Sequence, residues 1–132
     1  MAQKNLNILL ADDEAEIALL ISSVLQRTGH SVDVAADGSS ALDLLKKNPG
    51  RYDLVITDSN MPSVSGIELI EHLRETGFPG KIILLSGYVT SELEDMYQSL
   101  NIDRIIQKPF AFAALNGAVK ELSAGMQDDP GS

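Results

Sequence analysis

Two kinds of apolar segment alternate along the chain. Short β-rich runs fall at Leu6 to Leu10, Val32 to Ala35, Leu54 to Thr57, Lys81 to Leu85 and Arg104 to Gln107. Most are apolar without alternation, the pattern of strands covered on both faces in a parallel sheet. Between them apolar residues recur at helical spacing. Ile17, Leu20, Ile21, Val24, Leu25 and Thr28 share one face, and Gly29 is placed to end that helix. Leu42 and Leu45 follow Asp37-Gly38-Ser39-Ser40, where Asp37 or a serine can cap, and Asn48-Pro49-Gly50 stops the segment. A third helix carries Ile67, Ile70 and Leu73. A fourth opens on the box Ser91-x-x-Glu94, with Leu93, Met96, Tyr97 and Leu100 in register. The fifth holds Leu115, Ala118, Val119 and Leu122.

Strand and helix alternating five times implies right-handed crossovers and a parallel sheet wrapped by helices, a doubly wound α/β domain. One domain is expected over residues 5–122. From Ser123 to Ser132 the periodicity stops, which predicts a flexible C-terminal tail.

Composition narrows the chemistry. The 132 residues carry 10 Lys plus Arg against 19 Asp plus Glu, a formal charge of -9, which opposes phosphate-backbone attraction and direct nucleic-acid binding. A basic partner or a bound cation suits such a surface. The absence of Cys removes disulfides, thiolate metal sites and cysteine nucleophiles. No apolar run reaches the roughly 20 residues needed to span a bilayer, and Met1 to Asn5 lacks a signal-peptide core, so a soluble cytoplasmic protein without membrane contact is expected.

In an open parallel sheet, groups just beyond the carboxyl ends of the strands converge on one edge, where ligands bind. After the first strand come Asp12, Asp13 and Glu14; after the third, Asp58; after the fourth, Ser86; after the fifth, Lys108. Each has an ordinary explanation in isolation. Asp12 and Asp13 can cap the first helix, Asp58 can form a turn before Pro62, and Lys108 can be a solvated surface charge. Their joint placement at strand ends is the informative feature. Carboxylates clustered without compensation raise one another's pKa, and a divalent cation removes that cost. Oxygen-only ligands favour Mg²⁺, which takes one or two carboxylates plus waters and phosphate oxygens. An ammonium and a hydroxyl can then hold the remaining oxygens of a phosphoryl group, leaving Asp58 as the nucleophile.

These residues carry a resemblance. Asp12-Asp13, Asp58-Ser59-Asn60-Met61-Pro62 with Gly66, Ser86-Gly87 and Lys108-Pro109-Phe110, in this order and spacing, resemble the receiver domain of two-component response regulators over about Asn5 to Leu122. The resemblance implies a flavodoxin-like sheet of order 2-1-3-4-5 flanked by five helices. It implies that Asp58 is the phosphoacceptor, and that Asp13, Asp58 and the backbone carbonyl of Asn60 ligate Mg²⁺ directly while Asp12 acts through metal-bound water. Ser86 would move to the phosphoryl oxygen, Lys108 would pair with it, and the Lys108-Pro109 bond would be cis. The implied partners are a sensor histidine kinase or phosphotransfer protein and a downstream protein effector. The implied role is a signalling domain, with at most self-catalysed phosphoryl transfer and slow autodephosphorylation.

Ile105 stands where the family commonly has an aromatic switch, so output would rely on the backbone after Ser86 and on the fourth helix. Tyr88, two residues after Ser86, is placed to shield the phosphoryl group. Phe110 and Phe112 should pack the last helix against the sheet, and Met96 and Tyr97 should be core or half-buried. His30 and His72 are expected to be ordinary surface residues. A Mg²⁺-dependent phosphohydrolase of the Asp-x-Asp type is disfavoured because Asn60 occupies the acid/base position. A constitutive interaction module usually lacks an acid or the lysine, and this chain has both.

Overall fold

The structure, a computed structural model, describes residues 5–126. Five strands, β1 (Asn7–Ala11), β2 (Ser31–Ala35), β3 (Leu54–Asp58), β4 (Lys81–Ser86) and β5 (Arg104–Gln107), form one parallel sheet of order β2-β1-β3-β4-β5. Helices α1 (Ala15–Arg27), α2 (Gly38–Lys47), α3 (Gly66–Glu75), α4 (Ser91–Ser99) and α5 (Phe112–Gly125) follow the strands in turn. The expected fold and sheet order are both present.

The three central strands bury both faces, which is why their sequences are continuously apolar. Ile8, Leu10, Leu54, Ile56, Ile83 and Leu85 pack with Ile21 and Leu25 of α1 and Leu115 and Val119 of α5. Leu9, Val55, Ile82 and Leu84 point the other way, onto Ala41 of α2, Leu69, Ile70 and Leu73 of α3, and Leu93 of α4. Phe110 and Phe112 meet edge to face at 6.2 Å and pack against the first of these cores.

Several local expectations are corrected. α1 buries Ala18, Ile21, Ser22 and Leu25, leaving Leu19 and Leu20 68% and 50% exposed. Its apolar stripe is wider than one face, so periodicity leaves the phase of the helix ambiguous, and the small Ala18 and Ser22 take the side against the sheet. α4 is capped by Thr90, whose hydroxyl accepts the Leu93 amide at 3.1 Å, so Ser91 is the first helical residue. The complete capping box belongs to α3, where Ser65 accepts from the Glu68 amide and Glu68 from the Ser65 amide. Asp37 caps α2 as expected, accepting from the Ser40 amide at 2.7 Å. His30 is buried: its Nδ1 accepts the Leu6 amide at 3.0 Å, and burial pushes its pKa down. α5 runs on to Gly125 because fully buried Ser123 extends the Leu115, Val119 and Leu122 face by one more position. Ser123 to Gly125, read from the sequence as the start of a tail, are thus helical, and residues 127–132 lie outside the described residues.

Candidate phosphoryl-transfer site

The carboxyl ends of β1, β3, β4 and β5 bring the expected groups to one cleft. Asp58 ends β3 with only 4% of its surface exposed, and Lys108 Nζ sits 2.9 Å from its Oδ2. Lys108 is fixed from behind, since its amide donates to the Ser86 carbonyl at 2.7 Å and its bond to Pro109 is cis. Burial alone would lower the Lys108 pKa. The hydrogen bond and charge of Asp58, with the charges of Asp12 and Glu14, outweigh it, and the pKa is raised.

Asp12 is also buried. Its Oδ1 accepts the Glu14 amide at 2.9 Å, while Oδ2 has no hydrogen-bond partner among the described residues. Burial raises the Asp12 pKa, the Asp58 charge adds to the rise, and the Glu14 amide opposes it. This is the turn contact that a helix-capping role would have used, yet Glu14, the residue before α1, makes no side-chain cap of its own.

Asp12, Glu14 and Asp58 each offer an oxygen within 4.8 Å of the others. Asp13 is not in that group. Its residue is exposed and lines a shallow hollow beside Ala15, Ala18 and Leu19. Glu14, to which the resemblance gives no role, stands in the cleft instead, with Oε1 3.9 Å from Lys108 Nζ. Three successive acids follow β1, and strand alternation ends with the strand, so no sequence signal tells which of them turns inward.

Buried Ser86 donates its hydroxyl to the Tyr88 carbonyl at 2.7 Å and accepts the Ser59 hydroxyl at 3.4 Å. Tyr88 itself is 80% exposed, so its ring does not cover the cleft in this state. Asn60 is exposed and directs its amide to Asp58 Oδ1 at 3.5 Å. The loop from Asp58 to α3 is held tightly, because Gly66 donates to the Ser59 carbonyl at 3.0 Å and a Cβ there would lie 2.1 Å from the Asp58 carbonyl oxygen.

Three carboxylates facing one ammonium leave two negative charges uncompensated in the cleft. A buried carboxylate oxygen without a partner and an all-oxygen donor set fit a hard divalent cation. The cleft has the parts of a cation-assisted site for phosphoryl chemistry on a carboxylate.

Comparison with known proteins agrees. The response regulator receiver domain family matches residues 8–120, and the chain belongs to that family. It is thus a receiver domain of two-component signal transduction, a signalling domain rather than a conventional enzyme. The chain is 32% identical over 126 residues to the aerobic respiration control sensor protein ArcB of Escherichia coli K12, covering 94% of this chain and 16% of that protein. It is 32% identical to the transcriptional regulatory protein CutR of Streptomyces coelicolor, covering 89% of this chain and 53% of that one. The chain therefore spans about half or less of these relatives. The Francisella response regulator 1452 receiver domain superposes with a TM-score of 0.85 at 31% identity, covering 93% of this chain and 100% of that one. The response regulator TrrA of Thermotoga maritima, solved with Mg²⁺-BeF, gives 0.75 at 38% identity, covering 88% and 97%. Among the described residues no helix is long and apolar enough to cross a membrane.

Proposed function

We propose that Asp58 is the phosphoacceptor and that this chain works as a Mg²⁺-dependent phosphorylation switch. The observation that carries the reading is the buried Asp58 carboxylate held 2.9 Å from Lys108 Nζ in an otherwise acidic cleft. An Asp58 oxygen attacks phosphorus, the bond from phosphorus to the donor breaks, and the donor leaves with the electron pair. With a kinase or phosphotransfer histidine as donor the leaving group is its imidazole, and the product is an acyl phosphate. An ionised carboxylate needs no general base for this step. Lys108 exchanges a carboxylate oxygen for a phosphoryl oxygen, and Ser86 turns its hydroxyl from the Tyr88 carbonyl to another.

Mg²⁺, when bound, supplies neutralisation of the carboxylates and of the incoming phosphoryl oxygens. Asp12 and Asp58 already face one another for this purpose. Asp13 and the Asn60 carbonyl complete the set that the family pattern assigns, which requires the exposed Asp13 side chain to swing inward. TrrA, solved with Mg²⁺-BeF, supports the choice of ion. The chain itself contributes the positioning that makes transfer self-catalysed, and slow attack of water on the acyl phosphorus, releasing inorganic phosphate, returns Asp58 to its free carboxylate. The upstream partner is a sensor histidine kinase or phosphotransfer protein, and the downstream one is a protein effector. We place the domain in the cytoplasm, where kinases meet ATP.

Incubation with acetyl phosphate and Mg²⁺ tests the reading. Acid-stable, base-labile labelling that disappears in Asp58→Asn and on chelation of Mg²⁺ is expected. Undiminished labelling of Asp58→Asn overturns the assignment.

A further inference from the structure

Glu14 is the feature of the cleft that the phosphoacceptor reading does not use. Its carboxylate is 62% exposed and stands at the mouth, 3.9 Å from Lys108 Nζ and within 4.8 Å of the Asp12 and Asp58 oxygens. Its position is set by the backbone, because its amide is bonded to Asp12 Oδ1 and its residue begins the turn into α1. A donor that reaches Asp58, which is 4% exposed, comes within a few ångströms of this charge. A carboxylate beside the entrance repels a donor in proportion to the donor's negative charge, and low-dielectric walls strengthen the effect. Ile17, Pro109, Phe110 and Phe112 line a hollow of about 330 Å³ with Glu14 and Lys108.

Resting on the assignment of Asp58, we propose that Glu14 is a specificity-determining residue: an electrostatic gate that disfavours highly charged small phosphodonors while admitting donors of lower charge. Glu14 acts on the approach of the donor and on Lys108. It is not a required ligand of the cation.

Labelling rates of the wild type and Glu14→Gln with acetyl phosphate, a dianion at neutral pH, and phosphoramidate, which carries one negative charge fewer, test this at Mg²⁺ saturating for both proteins. Removing one charge at this range is expected to raise the acetyl phosphate rate about three- to tenfold at low salt and the phosphoramidate rate by only the square root of that, about two- to threefold. Added NaCl narrows the difference between wild type and variant, because exposed charges are screened over about 10 Å at 0.1 M. Glu14→Lys extends the change in the same direction. Mg²⁺ affinity by calorimetry falls by about the same three- to tenfold, as the loss of an outer charge acting on a dication requires. Equal acceleration with both donors, a slower variant, or a loss of Mg²⁺ affinity well beyond about tenfold overturns the gate, the last by making Glu14 a ligand. A wild type labelled by neither donor refutes the Asp58 reading itself, and with it the gate. Labelling of the wild type with unchanged donor preference in the variants refutes the gate alone.

Discussion

Asp12→Asn is expected to make the metal-free protein more stable at neutral pH and to remove most of its stabilisation by Mg²⁺. Asp12 is 1% exposed, has one oxygen without a partner and shares the cleft with the Asp58 and Glu14 carboxylates. An unsatisfied buried polar atom costs about 1–3 kcal/mol. Asparagine retains a carbonyl for the Glu14 amide and offers an N–H toward the neighbouring carboxylates, so a net gain of about 1 kcal/mol is reasonable. For a domain of this size that is a rise in Tm of about 3–5 °C. The pH dependence has a definite sign. The Asp12 pKa is raised above its ordinary 3.8 in the folded state, so between the two values the native form binds more protons than the unfolded one. Wild-type stability therefore falls as pH rises through that window, and above it the full penalty of the ionised carboxylate is present. The gap between variant and wild type should be small at about pH 4 and widen as the pH rises toward neutral. Saturating Mg²⁺ reverses the order, because a ligand that binds only the native state adds about 2.7 kcal/mol at a hundred times its Kd. Thermal unfolding with EDTA and with Mg²⁺ at several pH values reads all three effects. A variant less stable than wild type in EDTA at neutral pH, or a gap that does not change with pH, refutes the reasoning.

Gly66→Ala should destabilise the fold by about 1–3 kcal/mol, because its Cβ would meet the Asp58 carbonyl oxygen at 2.1 Å and neither backbone can yield without disturbing the end of β3. A urea midpoint equal to wild type would contradict this. Arg74 donates to the carbonyls of Leu100, Asn101 and Phe78 at 2.7, 2.6 and 3.1 Å, closing the C-terminal end of α4 onto α3. Arg74→Ala should cost about 2–3 kcal/mol and speed amide exchange in α4 and the loop after it. Arg74→Lys should recover little, lacking the planar fork, and full protection of α4 in either variant would count against this role.

How much of this was legible in the sequence depended on how many faces of an element are buried. β1, β3 and β4 are covered on both sides, so their apolar runs had a single interpretation, and the sheet that follows from them brought Asp58, Ser86 and Lys108 to one edge. α1 carries more apolar residues than one face can bury, so the period does not fix its phase, and it places Leu20 inward while that residue lies 50% exposed. Thr90 and Ser91 are both good caps, and only the backbone decides between them. His30 follows a glycine turn that looks like surface, but the left-handed Gly29 returns the chain beneath β1, where the Leu6 amide needs an acceptor. The acids after β1 were legible as a set, whereas the inward place of Glu14 depends on side-chain directions in a short loop that no period governs.

Ile105 makes the route from site to surface a question of backbone rather than of a rotating ring. It is half-buried against the core on the α3 and α4 side of the sheet and offers no polar end to exchange between states. On the proposed assignment of Asp58, the group that would move is the Ser86 hydroxyl. It now donates to the Tyr88 carbonyl, and a phosphoryl oxygen on Asp58 would compete for the same proton. Losing that bond frees a segment whose next residues, Tyr88 and Val89, are 80% and 41% exposed, and which runs directly into the Thr90 cap of α4. α4 buries only Leu93 and is otherwise held at its far end by Arg74. An element with so little buried surface has a low cost of local rearrangement. A change of one hydrogen bond, too weak to move the helices packed on the central strands, is thus well matched to α4, and the same sparse packing makes its exposed face the part of the molecule best able to present a different surface to an effector.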